Sequence, residues 1–249
     1  MTGAVTATDQ RVAIITGASR GIGAGLVAGY RQRGWAVLAN ALNTRPSDDP
    51  DVLTVDGDVS EPATGDRIIS EALRRFGRVD TLVNNAGLYI GKPFTDYTDA
   101  DYATVVGVNL TGFFVMTQRV IPEMLQNSGG HVLNMAATVA ENADSAVPAA
   151  LAALTKGGLA AATRSLAIEY ASRGIRFNAV SPGIIQTPLH DPDSYTASAA
   201  LIPMGRVGQV SDVVEGVLFL ESSGYITGET LHIDGGQVAG HTHDQRAGT

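Results

Sequence analysis

Thr16-Gly17-Ala18-Ser19-Arg20-Gly21-Ile22-Gly23 sits between two unlike segments. Before it runs an apolar stretch of strand length, Arg11–Thr16 (RVAIIT), and Gly21–Arg33 after it reads as a helix. A strand that turns on glycines into a helix leaves the unpaired N–H groups of the first helical turn at the strand's end. The helix dipole favours negative charge there, so a pyrophosphate can rest against the backbone. Side chains would hold it off, and Gly17, Gly21 and Gly23 have none. Glycines also make plain tight turns, and the strand–turn–helix setting is what gives this trio its meaning.

Downstream, strand-length apolar runs alternate with longer helical segments. Strands are expected at Ala36–Ala41, Val52–Val55, Thr81–Val83, His131–Met135, Ile175–Val180 and Leu231–Ile233. Helices are expected over Pro62–Phe76, Asp99–Gln126, Ala149–Ala171 and Asp212–Leu220. Such alternation needs crossover connections, which implies an α/β fold with a mostly parallel sheet and helices on both faces. No repeat, low-complexity tract or long linker divides the 249 residues, so one domain is expected, with a mobile tail from about 237.

Composition narrows the function. Hydrophobic residues make up 44% and charged residues 17%, as in soluble globular proteins. A net charge of -8 argues against nucleic acid or an anionic membrane as partner. No apolar run reaches the roughly 18 residues needed to span a bilayer. The opening MTGAVTATDQ lacks the features of a secretory signal, and the chain has no cysteine. A cytoplasmic location is expected. His241, His243 and Asp244 cluster in the tail without further ligands at defined spacing, so no metal site is expected.

Several motifs together resemble the short-chain dehydrogenase/reductase family: TGASRGIG, Asn84-Asn85-Ala86-Gly87, Asn109, Lys156, Ser181-Pro182-Gly183 and Asp234-Gly235-Gly236. They occur in order along nearly the whole chain. The resemblance implies a Rossmann-like doubly wound sheet of about seven strands, an NAD(P) cofactor, a small-molecule substrate, and a homotetramer or homodimer. It implies that Gly17, Ser19, Arg20, Gly21, Ile22 and Gly23 hold the pyrophosphate side, and that Asp58 and Val59 flank the adenine. Asn85, Ala86 and Gly87 would line the ribose, and Lys156 would bond the nicotinamide ribose. Pro182, Gly183, Ile185 and Thr187 would hold the nicotinamide end, with a lid over about 187–203.

NAD-preferring sites place a carboxylate at the end of the second strand, where it bonds the ribose 2′-hydroxyl. Here Ala39-Asn40-Ala41-Leu42-Asn43-Thr44-Arg45 has no acid before Asp48, and Arg20 and Arg45 could clamp a 2′-phosphate. NADP is therefore expected, with NAD the alternative.

The pattern breaks at the chemistry. The family carries a proton-donating tyrosine one helical turn before the lysine, and here that position is Ala152. The family's substrate-polarising serine falls at Ala136 or Ala137, beside Thr138. Asn109 and Lys156 are what remains. Three readings follow. Redox chemistry could use another acid, drawn from His190, Tyr195, Tyr89, Thr138, Glu141 or Lys156 itself. The scaffold could run a non-redox dehydration, isomerisation or cyclisation. It could also be a silent nucleotide-binding subunit. His131 and His232, in or beside strands, read as structural. The small-residue faces of Asp99–Gln126 and Ala149–Ala171, and Leu231–Gly236, read as interfaces between copies.

Overall fold

The computed structural model describes residues 10–145, 147–189 and 192–240. Seven strands form one parallel sheet: β1 Val12–Ile15, β2 Ala36–Ala41, β3 Val52–Asp56, β4 Thr81–Asn84, β5 Gly130–Met135, β6 Ile175–Pro182 and β7 Thr230–Ile233, in the order β3-β2-β1-β4-β5-β6-β7. The order reverses between β1 and β4, which opens a crevice at the carboxyl ends of those two strands.

Alternate residues serve opposite faces. Ala13, Ile15, Val37, Ala39, Val83, Leu133 and Val180 pack under helices α1 (Gly21–Gln32) and α7 (Val210–Ser222). Ile14, Leu38, Leu82, Val132 and Phe177 pack under α2 (Pro62–Phe76), α4 (Gly112–Gln126) and the end of α5 (Ala150–Tyr170). With both faces covered, continuous apolar runs rather than alternating ones mark the central strands.

The helix expected over Asp99–Gln126 is not a single regular helix. It comprises α3 (Asp99–Val106), a π turn at Gly107–Thr111, and α4. By length and composition this stretch would also suffice to cross a bilayer, which corrects the expectation that no apolar run is long enough, and 44% of its most apolar window is buried within the fold. The segment 187–203, expected as a lid, contains a short helix α6 (Tyr195–Leu201). His190 of that segment, and His241, His243 and Asp244 of the tail, lie outside the described residues.

At the amino ends of β4–β6 a buried polar cluster ties α1 and α7 to the sheet. The Glu221 carboxylate on α7 accepts from Tyr30 Oη (3.0 Å) and Thr81 Oγ1 (2.9 Å), and lies 3.1 Å from His131 Nδ1. Asn178 Nδ2 donates to His131 Nε2 (3.0 Å), so Nδ1 carries the imidazole proton and gives it to Glu221. Burial lowers the His131 pKa against the raising influence of Glu221. Burial pushes Glu221 upward, but His131, Thr81 and Tyr30 outweigh it and hold the carboxyl below its ordinary value.

Candidate functional site

The crevice is built from the loops that leave β1 and β4, stitched to each other. Thr16 Oγ1 accepts from the N–H of Asn85 (3.1 Å) and of Ala86 (3.0 Å). Asn85 Nδ2 donates to the carbonyls of Thr16 (2.8 Å) and Gly17 (3.1 Å). Gly17 has φ +65°, and a Cβ there would lie 2.8 Å from Ala86 Cα, so only glycine permits this approach. A Cβ on Gly23 would overlap the Gly17 carbonyl. The first turn of α1 carries no side-chain cap and no acid, whereas α3 and α7 begin with capping boxes. Its N–H groups are thus available to an anion, with Ser19 and Arg20 exposed beside them.

The other expected residues gather around this turn. Thr187 is the nearest neighbour of Gly21, where a Cβ would stand 3.4 Å from its side chain. Gly183 follows β6, and Ile184 N–H donates to Gln237 Oε1 (3.3 Å). Ile185 is buried and bridges to Gly208. Asp58 caps the turn after β3 by accepting from Ser60 N (2.8 Å) and Ser60 Oγ (2.7 Å), and buried Val59 packs on Gly112. Asn40 Nδ2 holds the β3 exit through the carbonyls of Val55 (3.0 Å) and Gly57 (3.2 Å), and its buried Oδ1 has no partner among the described residues.

Arg45 is exposed on the β2–β3 turn. The structure adds an acid that the linear reading of β2 missed: Asp56, at the end of β3, accepts from Thr44 N–H (2.7 Å) and from the Thr44 hydroxyl. These bonds, from the hydroxyl first and then the backbone, hold its carboxyl below the ordinary range.

Deeper in the crevice, the π turn presents Asn109 inward, 2% exposed. Its Oδ1 accepts from Leu88 N–H (2.8 Å), and its Nδ2 donates to the Leu88 carbonyl (3.0 Å) and Thr155 Oγ1 (3.0 Å). One side chain thereby pins the β4 exit to α5. Lys156, on α5, donates from Nζ to the carbonyl of Met135 (2.7 Å). A Cβ on Gly87 would stand 2.9 Å from that Nζ and 3.5 Å from Asn109 Oδ1, so lysine, asparagine and glycine converge. Burial alone lowers the Lys156 pKa to about 8. One turn earlier, Ala152 is 2% exposed, and Ala136 beyond β5 is 4% exposed.

Glu141, one of the candidate acids, has both carboxylate oxygens 2.9 Å from Nε2 of His232 and accepts from Ser181 Oγ (3.4 Å). Asn142 Nδ2 donates to the Gln237 carbonyl (3.2 Å), so the loop after β5 is tied to β7 and to the start of the tail. Residues 237–240 of the tail form a turn on Asp234 and Gly236. Tyr195 Oη donates to the Thr187 carbonyl (3.2 Å). No cluster of potential metal ligands occurs among the described residues.

A family model described as Enoyl-(Acyl carrier protein) reductase matches residues 17–237. The chain is 34% identical over 249 residues to the 3-oxoacyl-(acyl-carrier-protein) reductase FabG of Thermotoga maritima, covering 92% of this chain and 98% of the relative. It is similar to the 3-ketoacyl-(acyl-carrier-protein) reductase of Brucella melitensis solved in complex with NADH, with a TM-score of 0.84, 33% identity, and 92% and 98% of the two chains covered. ElxO solved with NADP bound matches with a TM-score of 0.86 at 27% identity, covering 93% of this chain and 100% of that one.

Proposed function

The chain belongs to the short-chain dehydrogenase/reductase family, and from that premise we propose that it is an NAD(P)-dependent oxidoreductase. It acts on a carbonyl, an alcohol or a related small molecule, through a proton-donor arrangement that does not use the family's tyrosine. The observation that carries this reading is the uncapped head of α1, packed through Gly17 and Gly23 against Asn85–Gly87. Gly17, Ser19, Gly21, Ile22 and Gly23 would hold the pyrophosphate, Asp58 and Val59 the adenine, and Asn85, Ala86 and Gly87 the ribose. Lys156 would meet the nicotinamide ribose, with Pro182, Gly183, Ile185 and Thr187 at the nicotinamide end. The bound nicotinamide supplies or accepts the hydride. Asn109 sets the site's shape by holding Leu88 and Thr155.

The two exposed arginines, Arg20 and Arg45, favour NADP over NAD, because guanidinium forks bind a 2′-phosphate. Asp56 opposes them less than a bare carboxylate would, since Thr44 already donates to it twice. Calorimetry with NADPH and NADH tests both points. Binding of both, with NADPH at least about tenfold tighter (about 1.4 kcal/mol), is the expected result. Tighter NADH sinks the clamp, and attachment of neither sinks the reading. The NAD(P)H-binding relatives and the net charge of -8 support a cytoplasmic enzyme with a small-molecule substrate. Exposed Phe114, Leu154 and Ile168 on α4 and α5 support a homotetramer or homodimer.

A second reading is favoured by the buried alanines at 136 and 152: a non-redox enzyme (a dehydratase, isomerase or cyclase) or a silent dinucleotide-binding subunit. Incubation with NADPH and a panel of ketones, imines and activated alkenes separates the two. Binding without any cofactor oxidation favours the second.

A further inference from the structure

A reductase that lacks the phenol must still protonate the oxygen of its product. We infer that the ε-ammonium of Lys156 is itself that acid, donating directly from its place between the Met135 carbonyl and Gly87. The inference rests on the redox reading above.

The geometry supplies a donor with hydrogens to give. An ammonium has three N–H groups, and one is engaged by the Met135 carbonyl. Nζ lies against Gly87, at the crevice where the β4 exit meets the π turn. Among the described residues no carboxylate pairs with Lys156, so no anion locks the proton in place. The groups packed round its end, Asn109, Gly87 and Met135, are neutral. Charged groups on the loops that follow β4 and β5 are paired elsewhere: Lys92 with Asp101 (2.6 Å), and Glu141 with His232 (2.9 Å). Burial that brings the amine to about 8 also suits it to proton transfer near neutral pH.

Among the described residues, the other acids named from the sequence are less well placed. Tyr195 Oη already donates to the Thr187 carbonyl. Burial raises the Tyr89 phenol, which weakens it as an acid, and its ring folds over Gly91. Glu141 is a carboxylate held by His232 and Ser181, and Thr138 is a neutral alcohol.

The step balances simply. The carbonyl carbon gains a hydride from the reduced nicotinamide, which is thereby oxidised. The carbonyl π pair moves onto oxygen, and that oxygen takes one proton from the Lys156 ammonium. The neutral amine regains its proton from water.

The chain's composition makes the test clean, because Lys92 and Lys156 are its two lysines and it has no cysteine. Carbon-13 NMR of ε-labelled lysine in the cofactor-free protein should show two resonances, with that of Lys156 titrating near pH 8. A Lys156 resonance that stays in the ordinary range above 10 overturns the inference. In NADPH-dependent reduction, Lys156→Arg keeps the positive charge but cannot release a proton. At saturating NADPH its kcat should drop about 10²–10⁴-fold and lose its basic limb, whatever affinity is lost with the nicotinamide-ribose contact proposed for Lys156. Lys156→Cys alkylated with bromoethylamine restores a less basic amine, and kcat should return with its basic limb at lower pH than in the parent. A parent that binds NADPH but oxidises none overturns the redox reading and this inference together. A parent that turns over and keeps its rate and pH profile in Lys156→Arg overturns this inference alone.

Discussion

Single atoms decide whether the crevice exists. Gly23 has the Gly17 carbonyl where its Cβ would be and Asn85 Nδ2 2.7 Å away, so Gly23→Ala forces β1 and β4 exits apart. The expected cost is about 1–3 kcal/mol in urea unfolding, with NADPH binding weakened at least about tenfold; parental values for both would refute the packing argument. The gathering of the glycines, Asn85, Asn109 and Lys156 at one crevice was legible in the sequence, because few other residue types could take those places in the turns. Asp56 beside Thr44 and Glu141 beside His232 were not. Those partners lie 12 and 91 positions apart and meet only after the sheet assembles, and nothing local marks either pairing.

At the scale of elements, the strands were legible because a strand buried on both faces is a bounded apolar run, and the helices between them because their length separates them from strands. The π turn was not. It inserts one residue into a helix without any residue type that signals it, yet it is what turns Asn109 toward Leu88 and Thr155. Asn109→Ala strands the Leu88 N–H and carbonyl. We expect a loss of about 1–3 kcal/mol per unsatisfied group in denaturant unfolding, together with a fall in NADPH affinity; a neutral effect on both would show that the clamp is idle. The cluster of His131, Glu221, Tyr30, Thr81 and Asn178 joins three strands to α1 and α7, and it gives the fold an acid limit. Both His131 and Glu221 have folded pKa values below their ordinary ones. The unfolded chain therefore binds more protons, and stability falls as pH falls, first below the ordinary histidine range and then through the carboxylate range. Melting temperature should drop from pH 7 toward pH 4, and His131→Asn should flatten the upper part of that slope. A melting curve flat over this interval would contradict the assignment.

For the molecule as a whole, the exposed apolar side chains are the unfinished business of a lone chain. Phe114, Leu154 and Ile168 on α4 and α5, and Phe219 and Tyr225 at the end of α7, all stand in solvent. Light scattering coupled to size exclusion at micromolar concentration should report a dimer or tetramer, and Ile168→Glu should shift the population toward monomer; a monomeric parent would contradict the proposed assembly.

The ties of Glu141 to His232 and of Asn142 to Gln237 carry a consequence for evolution in the laboratory. They anchor one wall of the cleft to the sheet's last strand, so that wall keeps its contour whatever molecule arrives. We propose that adjustment to a guest of different bulk falls to the flap expected as a lid over about 187–203. A chimera that exchanges only that flap with a relative should inherit the donor's substrate preference, while one that exchanges the tethered wall should chiefly forfeit folding.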